Sequence, residues 1–144
     1  MKQVVYVAAG LTNASDEFSD FARTFKRNLR QSTAALVIEW IGRESPIELD
    51  DFFQRNLNNV RMCDSMIALV DEPSIGVGIE IREAMLLQKP LLCLHQENQV
   101  ISRLLASAGR ASEMTIRSYK NIYDAVDIAA HFISTSPLLA LHES

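Results

Sequence analysis

The sequence predicts an α/β domain built on an open parallel sheet. Short apolar, β-rich runs recur along the chain, amphipathic stretches with helical spacing separate them, and the alternation repeats five times within 144 residues. The run Ser65-Met66-Ile67-Ala68-Leu69-Val70 is apolar at nearly every position, the pattern of a parallel strand covered on both faces.

The elements follow in order. Val4 to Ala9 reads as the first strand, ended by Gly10, and Leu11 to Ser15 supplies loop and cap residues. From Asp16 onward Phe18, Phe21, Phe25 and Leu29 recur at helical spacing, which leaves Arg23, Lys26, Arg27 and Arg30 for the solvent side. Ala34 to Trp40 is the second strand and Gly42 to Pro46 a loop. Helix two is expected over Leu49 to Arg61 with Phe52, Phe53, Leu57 and Val60 inward. Strand three, Ser65 to Val70, leads to helix three over Gly76 to Gln88, closed by Lys89-Pro90. Leu91 to Leu94 is strand four, Val100 to Ala108 a helix, Met114 to Ile116 strand five and Ile122 to Ile133 the last helix. The expected architecture is one domain, a five-stranded parallel sheet of Rossmann-like or flavodoxin-like arrangement with helices on both faces. No internal repeat or low-complexity linker interrupts it. Residues 135–144 form a tail whose Leu138, Leu139 and Leu141 need a surface to pack on, a partner subunit being one candidate.

Composition narrows the function. At 48% hydrophobic residues the chain buries a real core. A net charge of −4, from 18 acids and 14 bases without long runs, provides no broad positive field for a polynucleotide, so a nucleic-acid polymer is not expected as a partner. No apolar stretch is long enough to cross a membrane, and the start lacks the pattern of a signal peptide, so a cytoplasmic protein without membrane contact is expected. Cys63 and Cys93 stand apart without CxxC spacing and read as core thiols, and no residue cluster calls for a metal or other cofactor.

Ligands of such folds sit beyond the carboxyl ends of the strands. The most unusual loop there is Asp71-Glu72-Pro73-Ser74-Ile75-Gly76-Val77-Gly78-Ile79-Glu80. A serine and two glycines at a helix start let backbone amides approach an anion; a simple cap with glycines for close packing explains the same residues. Glu80 has Gly76, Val77 and Ala84 as helical neighbours and Arg82 and Glu83 on the outer side, so it points inward. Such a carboxylate is either held by hydrogen bonds as a structural group or put to chemical use. Asn56 lies on the apolar face of helix two, three and four residues after Phe53 and Phe52, and is either a structural amide or a ligand contact. Tyr6 alone reads as a core aromatic. A P-loop, a GxGxxG turn, the acid pair of a phosphoacceptor domain and a hydrolase triad are all missing.

The stretch from Asp64 to Leu94, with Pro73-Ser74-Ile75-Gly76-Val77-Gly78-Ile79-Glu80 at its centre and Lys89-Pro90-Leu91-Leu92-Cys93-Leu94 following, closely resembles the 2'-deoxynucleoside 5'-phosphate N-hydrolases. These belong with the nucleoside 2-deoxyribosyltransferases, and the likeness extends more loosely across the whole chain, with residues 1–134 expected as the domain of this type. It implies a small nucleotide or nucleoside as ligand, Glu80 as nucleophile, Ser74 on the 5'-phosphate, and a homodimer in which Ser102 reaches the neighbouring subunit's phosphate. Tyr6 belongs to the same implied catalytic group, and Gly76, Gly78, Gly10, Thr12 and Asn13 to the substrate loops. The implied reaction is displacement of the base to a glycosyl ester of Glu80, then release by water, or by a second base in a transferase. Two positions depart from the family. Asn56 stands where an aspartate assists protonation of the leaving base, and an amide cannot donate that proton. The loop Ala9-Gly10-Leu11-Thr12-Asn13 lacks the family's arginine, so a weaker grip on a phosphate is expected. Three readings follow: a nucleotide N-glycosidase, a nucleoside deoxyribosyltransferase, and a nucleotide-binding relative without turnover.

Overall fold

A computed structural model describes residues 2–40 and 47–137. Among these, five strands alternate with five helices: β1 Val4–Ala9, α1 Asp16–Ser32, β2 Leu36–Val37, α2 Leu49–Met62, β3 Ser65–Leu69, α3 Ile75–Leu86, β4 Leu91–Gln96, α4 Arg103–Ala111, β5 Thr115–Tyr119 and α5 Ile122–Thr135. All strand pairs are parallel and the order is β2-β1-β3-β4-β5. The expected sheet and its two helical layers are therefore present. The chain leaves β1 toward β2 on one side and returns to β3 on the other, so the crevice of this topology opens above the ends of β1 and β3.

The period-2 alternation of the strands sorts the core into two halves. Val5, Val7, Ile67, Leu69, Leu92 and Leu94 face α1 and α5, packing with Phe18, Phe25, Leu29, Val126 and Ile133. Tyr6, Ala8, Met66, Ala68, Leu91 and Cys93 face the other layer, with Val60 of α2 and Val77, Ile81 and Ala84 of α3. Tyr6 is thereby carried to the side on which α3 lies. Cys63 and Cys93 are free and buried, as expected, and burial pushes both thiols up to about 12.

Several local expectations need correction. Only Leu36 and Val37 of the Ala34–Trp40 run pair with β1; beyond Ile38 the chain leaves the ladder, and Trp40 instead donates its indole N–H to the Val7 carbonyl. Lys26 is not on the wet side. It is 3% exposed, with Nζ 4.2 Å from the Trp40 ring centroid and 3.7 Å from Glu39, because the end of β2 folds over α1 and offers the ammonium both a carboxylate and a π face. Phe53 is 53% exposed and Phe52 half-buried, so only Leu57 and Val60 bury fully on α2. The fourth helix starts at Arg103, since Ser102 caps it through Leu105 N–H at 3.4 Å. The loop expected over 42–46 and the tail leucines Leu138, Leu139 and Leu141 lie outside the described residues. No helix among the described residues is long and apolar enough to cross a membrane.

Candidate active site

Ser74 ends the loop after β3 in extended conformation, and its Oγ accepts from Val77 N–H at 3.2 Å. Its carbonyl takes Gly78 N–H, which leaves the first two amides of α3, those of Ile75 and Gly76, for a ligand or water. Gly10 ends β1 directly against this serine. A Cβ on Gly10 would fall inside the Ser74 side chain, so the two loops meet this closely only because position 10 is glycine. Glu72 closes the junction from outside, accepting from Ser15 N–H at 3.0 Å and from its hydroxyl. These bonds hold the Glu72 carboxyl below its usual range. Asp71, at the foot of the same loop, accepts from Gln96 N–H at 2.6 Å and from Tyr119 Oη at 3.0 Å, fastening β3 to β4 and β5. Burial raises its pKa against those bonds.

Above the β1–β3 crevice lies a cavity of about 690 Å³. Its walls include Gly10, Thr12 and Asn13 from the first loop, Ser74 and Gly76 from the third, and Asn56 from α2, with Tyr6 beneath. Seven of the sequence-expected positions thus converge. Glu80 does not line the cavity itself; it lies 8% exposed within α3, where the Tyr6 hydroxyl donates to its Oε2. Gly78 and Ser102 line a second, largely apolar groove of about 700 Å³ between α3 and α4, which Ser74 also borders. Asn56 donates Nδ2 to the Phe52 carbonyl at 2.8 Å, one turn back in its own helix, which is the structural pairing. Periodicity did not single out Arg23, Glu39, Trp40 and Glu72 as cavity residues, yet all four line it. Arg23 and Trp40 come from segments whose mutual packing no local pattern encodes.

Burial pushes the Glu80 carboxyl up to about 7, against the opposing pull of the Tyr6 hydroxyl. Burial and the neighbouring Glu80 raise the Tyr6 phenol in turn, so it remains a donor. A carboxylate in this setting is weakly solvated and oriented by one bond on one oxygen. Among the described residues no group of histidine, cysteine and acids is arranged to hold a metal.

The raised pKa is also a stability statement. Folded Glu80 holds its proton more tightly than the unfolded chain, so stability falls as pH rises from about 4.5 to about 7. Glu80→Gln, which keeps the Tyr6 contact without the charge, is expected to be more stable than the parent by roughly 1–3 kcal/mol near pH 8. The advantage should vanish near pH 4 in denaturant titrations. A difference independent of pH would contradict the buried titrating carboxylate.

No family model matches the chain. It is 30% identical to the 5-hydroxymethyl-dUMP N-hydrolase of Rattus norvegicus over 99 residues, 67% of this chain and 61% of that protein. The chain covers less than two thirds of that relative's length. Among solved structures, the CMP N-glycosidase of Clostridium botulinum superposes with a TM-score of 0.70 at 18% identity, covering 90% of this chain and 99% of that one. The 2-deoxyribosyltransferase of Bacillus psychrosaccharolyticus gives 0.62 at 14%, covering 94% and 99%. At such identities the superpositions establish a shared fold. The chain is thus similar in sequence to a nucleotide N-hydrolase and shares the fold of a CMP N-glycosidase and a 2-deoxyribosyltransferase.

Proposed function

We propose that this protein is an N-glycosidase that cleaves the bond between base and sugar in (deoxy)ribonucleoside 5'-monophosphates. The observation that carries the reading is the buried Glu80 carboxylate held by the Tyr6 hydroxyl under a cavity of nucleotide size. Ionised Glu80 attacks the anomeric carbon, the electrons of the C–N bond leave with the base, and water then cleaves the glycosyl ester with net retention. Tyr6 fixes Oε2 so that Oε1 is free to form the ester. Ser74, Gly76, Gly10, Thr12 and Asn13 take the phosphate at the start of α3, where amides and the helix dipole favour an anion. Gly78 borders the neighbouring α3–α4 groove, which Ser74 also lines. Asn56 contacts the ligand without donating a proton.

A second reading, transfer of the sugar to a free base, is favoured by one specific observation. The Glu72 carboxylate lines the cavity near the first loop and opposes a dianion there. An acceptor base in place of water would complete the same two steps.

The expected homodimer is part of this proposal. Ile75, Val100 and Leu104 are 86%, 88% and 81% exposed around the α3–α4 groove, an apolar border that a second copy would cover while bringing its Ser102 beside Ser74. Light scattering should give twice the chain mass for the parent and the monomer mass for Leu104→Glu; a monomeric parent would overturn the shared site.

Chromatography of a panel of nucleoside 5'-monophosphates and nucleosides, with and without an acceptor base, tests the activity. Released base is expected, lost in Glu80→Ala and falling below pH of about 7 as the carboxylate protonates. Asn56→Asp should raise kcat by roughly tenfold or more by restoring an acid. Release that persists in Glu80→Ala would sink the proposal, and new base conjugates formed only with acceptor present would select transfer.

A further inference from the structure

The cavity extends across β1, away from Ser74, to the end of β2. Because β2 and β3 flank β1 on opposite sides, these two ends lie on the order of 10 Å apart, two strand spacings. A nucleotide whose phosphate occupies the Ser74 end therefore directs its base toward Glu39, Trp40 and Arg23. Charge at that end is unevenly committed. On α1, Arg23, Lys26 and Arg30 share one face at spacings of three and seven residues. Arg30 pairs with Glu39, and Lys26 lies 3.7 Å from the same carboxylate and over the Trp40 ring. Glu39 is thus already paired with Arg30 and close to Lys26. Arg23 has no ion pair or side-chain hydrogen bond among the described residues, and it is the one positively charged side chain among them that lines the cavity.

This bears on the missing proton donor. When Asn56 cannot protonate the departing base, the base must leave with negative charge, and the barrier depends on what stabilises that charge. We propose that Arg23 contacts the leaving base and stabilises it as an anion, which restricts the protein to nucleotides whose base carries a ring carbonyl. The inference rests on the glycosidase reading. In the step, a Glu80 oxygen bonds to the anomeric carbon while the C–N bond breaks and its electron pair stays on the base. In an oxopyrimidine or 6-oxopurine that pair delocalises onto a carbonyl oxygen, where the guanidinium pairs with it and transfers no proton. The freed base later takes a proton from water, and a second water opens the ester. Adenine has no carbonyl to accept from Arg23 and departs readily only when protonated on its ring.

The test is steady-state release of base from the 5'-monophosphates of hypoxanthine, uracil, 5-fluorouracil and adenine. The proteins are the parent, Arg23→Met, Arg23→Lys and, as a surface control on the same helix, Arg27→Met. Arg23 is exposed, so circular dichroism should show each variant folded. Arg23→Met is expected to lower kcat on hypoxanthine and uracil nucleotides by about 100-fold with little change in KM. The loss should shrink for 5-fluorouracil, a more acidic leaving group, and be absent from whatever slow adenine release occurs; Arg23→Lys should recover part of the rate. An equal loss for every base, a rise in KM alone, or no loss would each overturn the role. Release by the parent that stops in Glu80→Ala but ignores Arg23 would remove this inference and leave the glycosidase standing. A parent that releases no base from any nucleotide would remove both.

Discussion

A hydroxyl in the middle of β1 reaches a carboxylate inside α3, and the Tyr6–Glu80 contact constrains much of what surrounds it. Tyr6 must point toward the α2–α3 layer, which the alternation of β1 ensures, with Val5 and Val7 turned to the opposite core. α3 must start immediately above the end of β3, so that its second turn brings Glu80 over the strand it packs on. Burial then keeps the carboxylate poorly solvated, and the phenol supplies the single donor that makes the burial tolerable. Without that donor the site would hold an unpaired buried acid, and the carboxyl would take up a proton at still higher pH.

The loops above this pair are fastened independently of any ligand. Gly10 allows the end of β1 to touch Ser74, Glu72 clasps Ser15 at the start of α1, and Asp71 gathers the ends of β4 and β5 through Gln96 and Tyr119. Three separate attachments on one short loop produce a crevice whose shape is set before binding, which lowers the ordering cost a ligand must meet. The wall at β2 is built differently. Its strand stops after two paired residues, and the room left beside β1 is filled by Trp40 and by the cations of α1. The half of the cavity near Ser74 is therefore backbone-rich and suited to an anion, while the far half is made of side chains.

Most of the fold was legible because its signals are local. Uniform apolar runs marked the parallel strands, and the Ser74–Glu80 segment combined a cap and an inward carboxylate, each with its own physical reason. What escaped depended on distant partners. Lys26 has the spacing of a surface residue, and only the arrival of Glu39 and Trp40 makes its burial favourable, with its ammonium pushed down to about 8 by desolvation. The β propensity of Ala34 to Trp40 extends past the point where β1 offers a partner, so propensity overstated the strand. Arg23 looked like one solvated base among several, and its place on the cavity wall follows from how α1 meets the end of β2. The loop after β1 carries no arginine, and the cavity receives one from α1.

Under the proposed reaction Glu80 forms a covalent bond to the sugar. A 2-deoxy-2-fluoroarabinosyl nucleotide slows the hydrolysis of such an ester, so brief incubation, acid quench, proteolysis and mass spectrometry of the peptide carrying Glu80 address it directly. A gain equal to the fluorinated sugar phosphate on that peptide, absent from Glu80→Gln, is the predicted result. Base release accompanied by an adduct on another residue, or by no adduct at all, would contradict it.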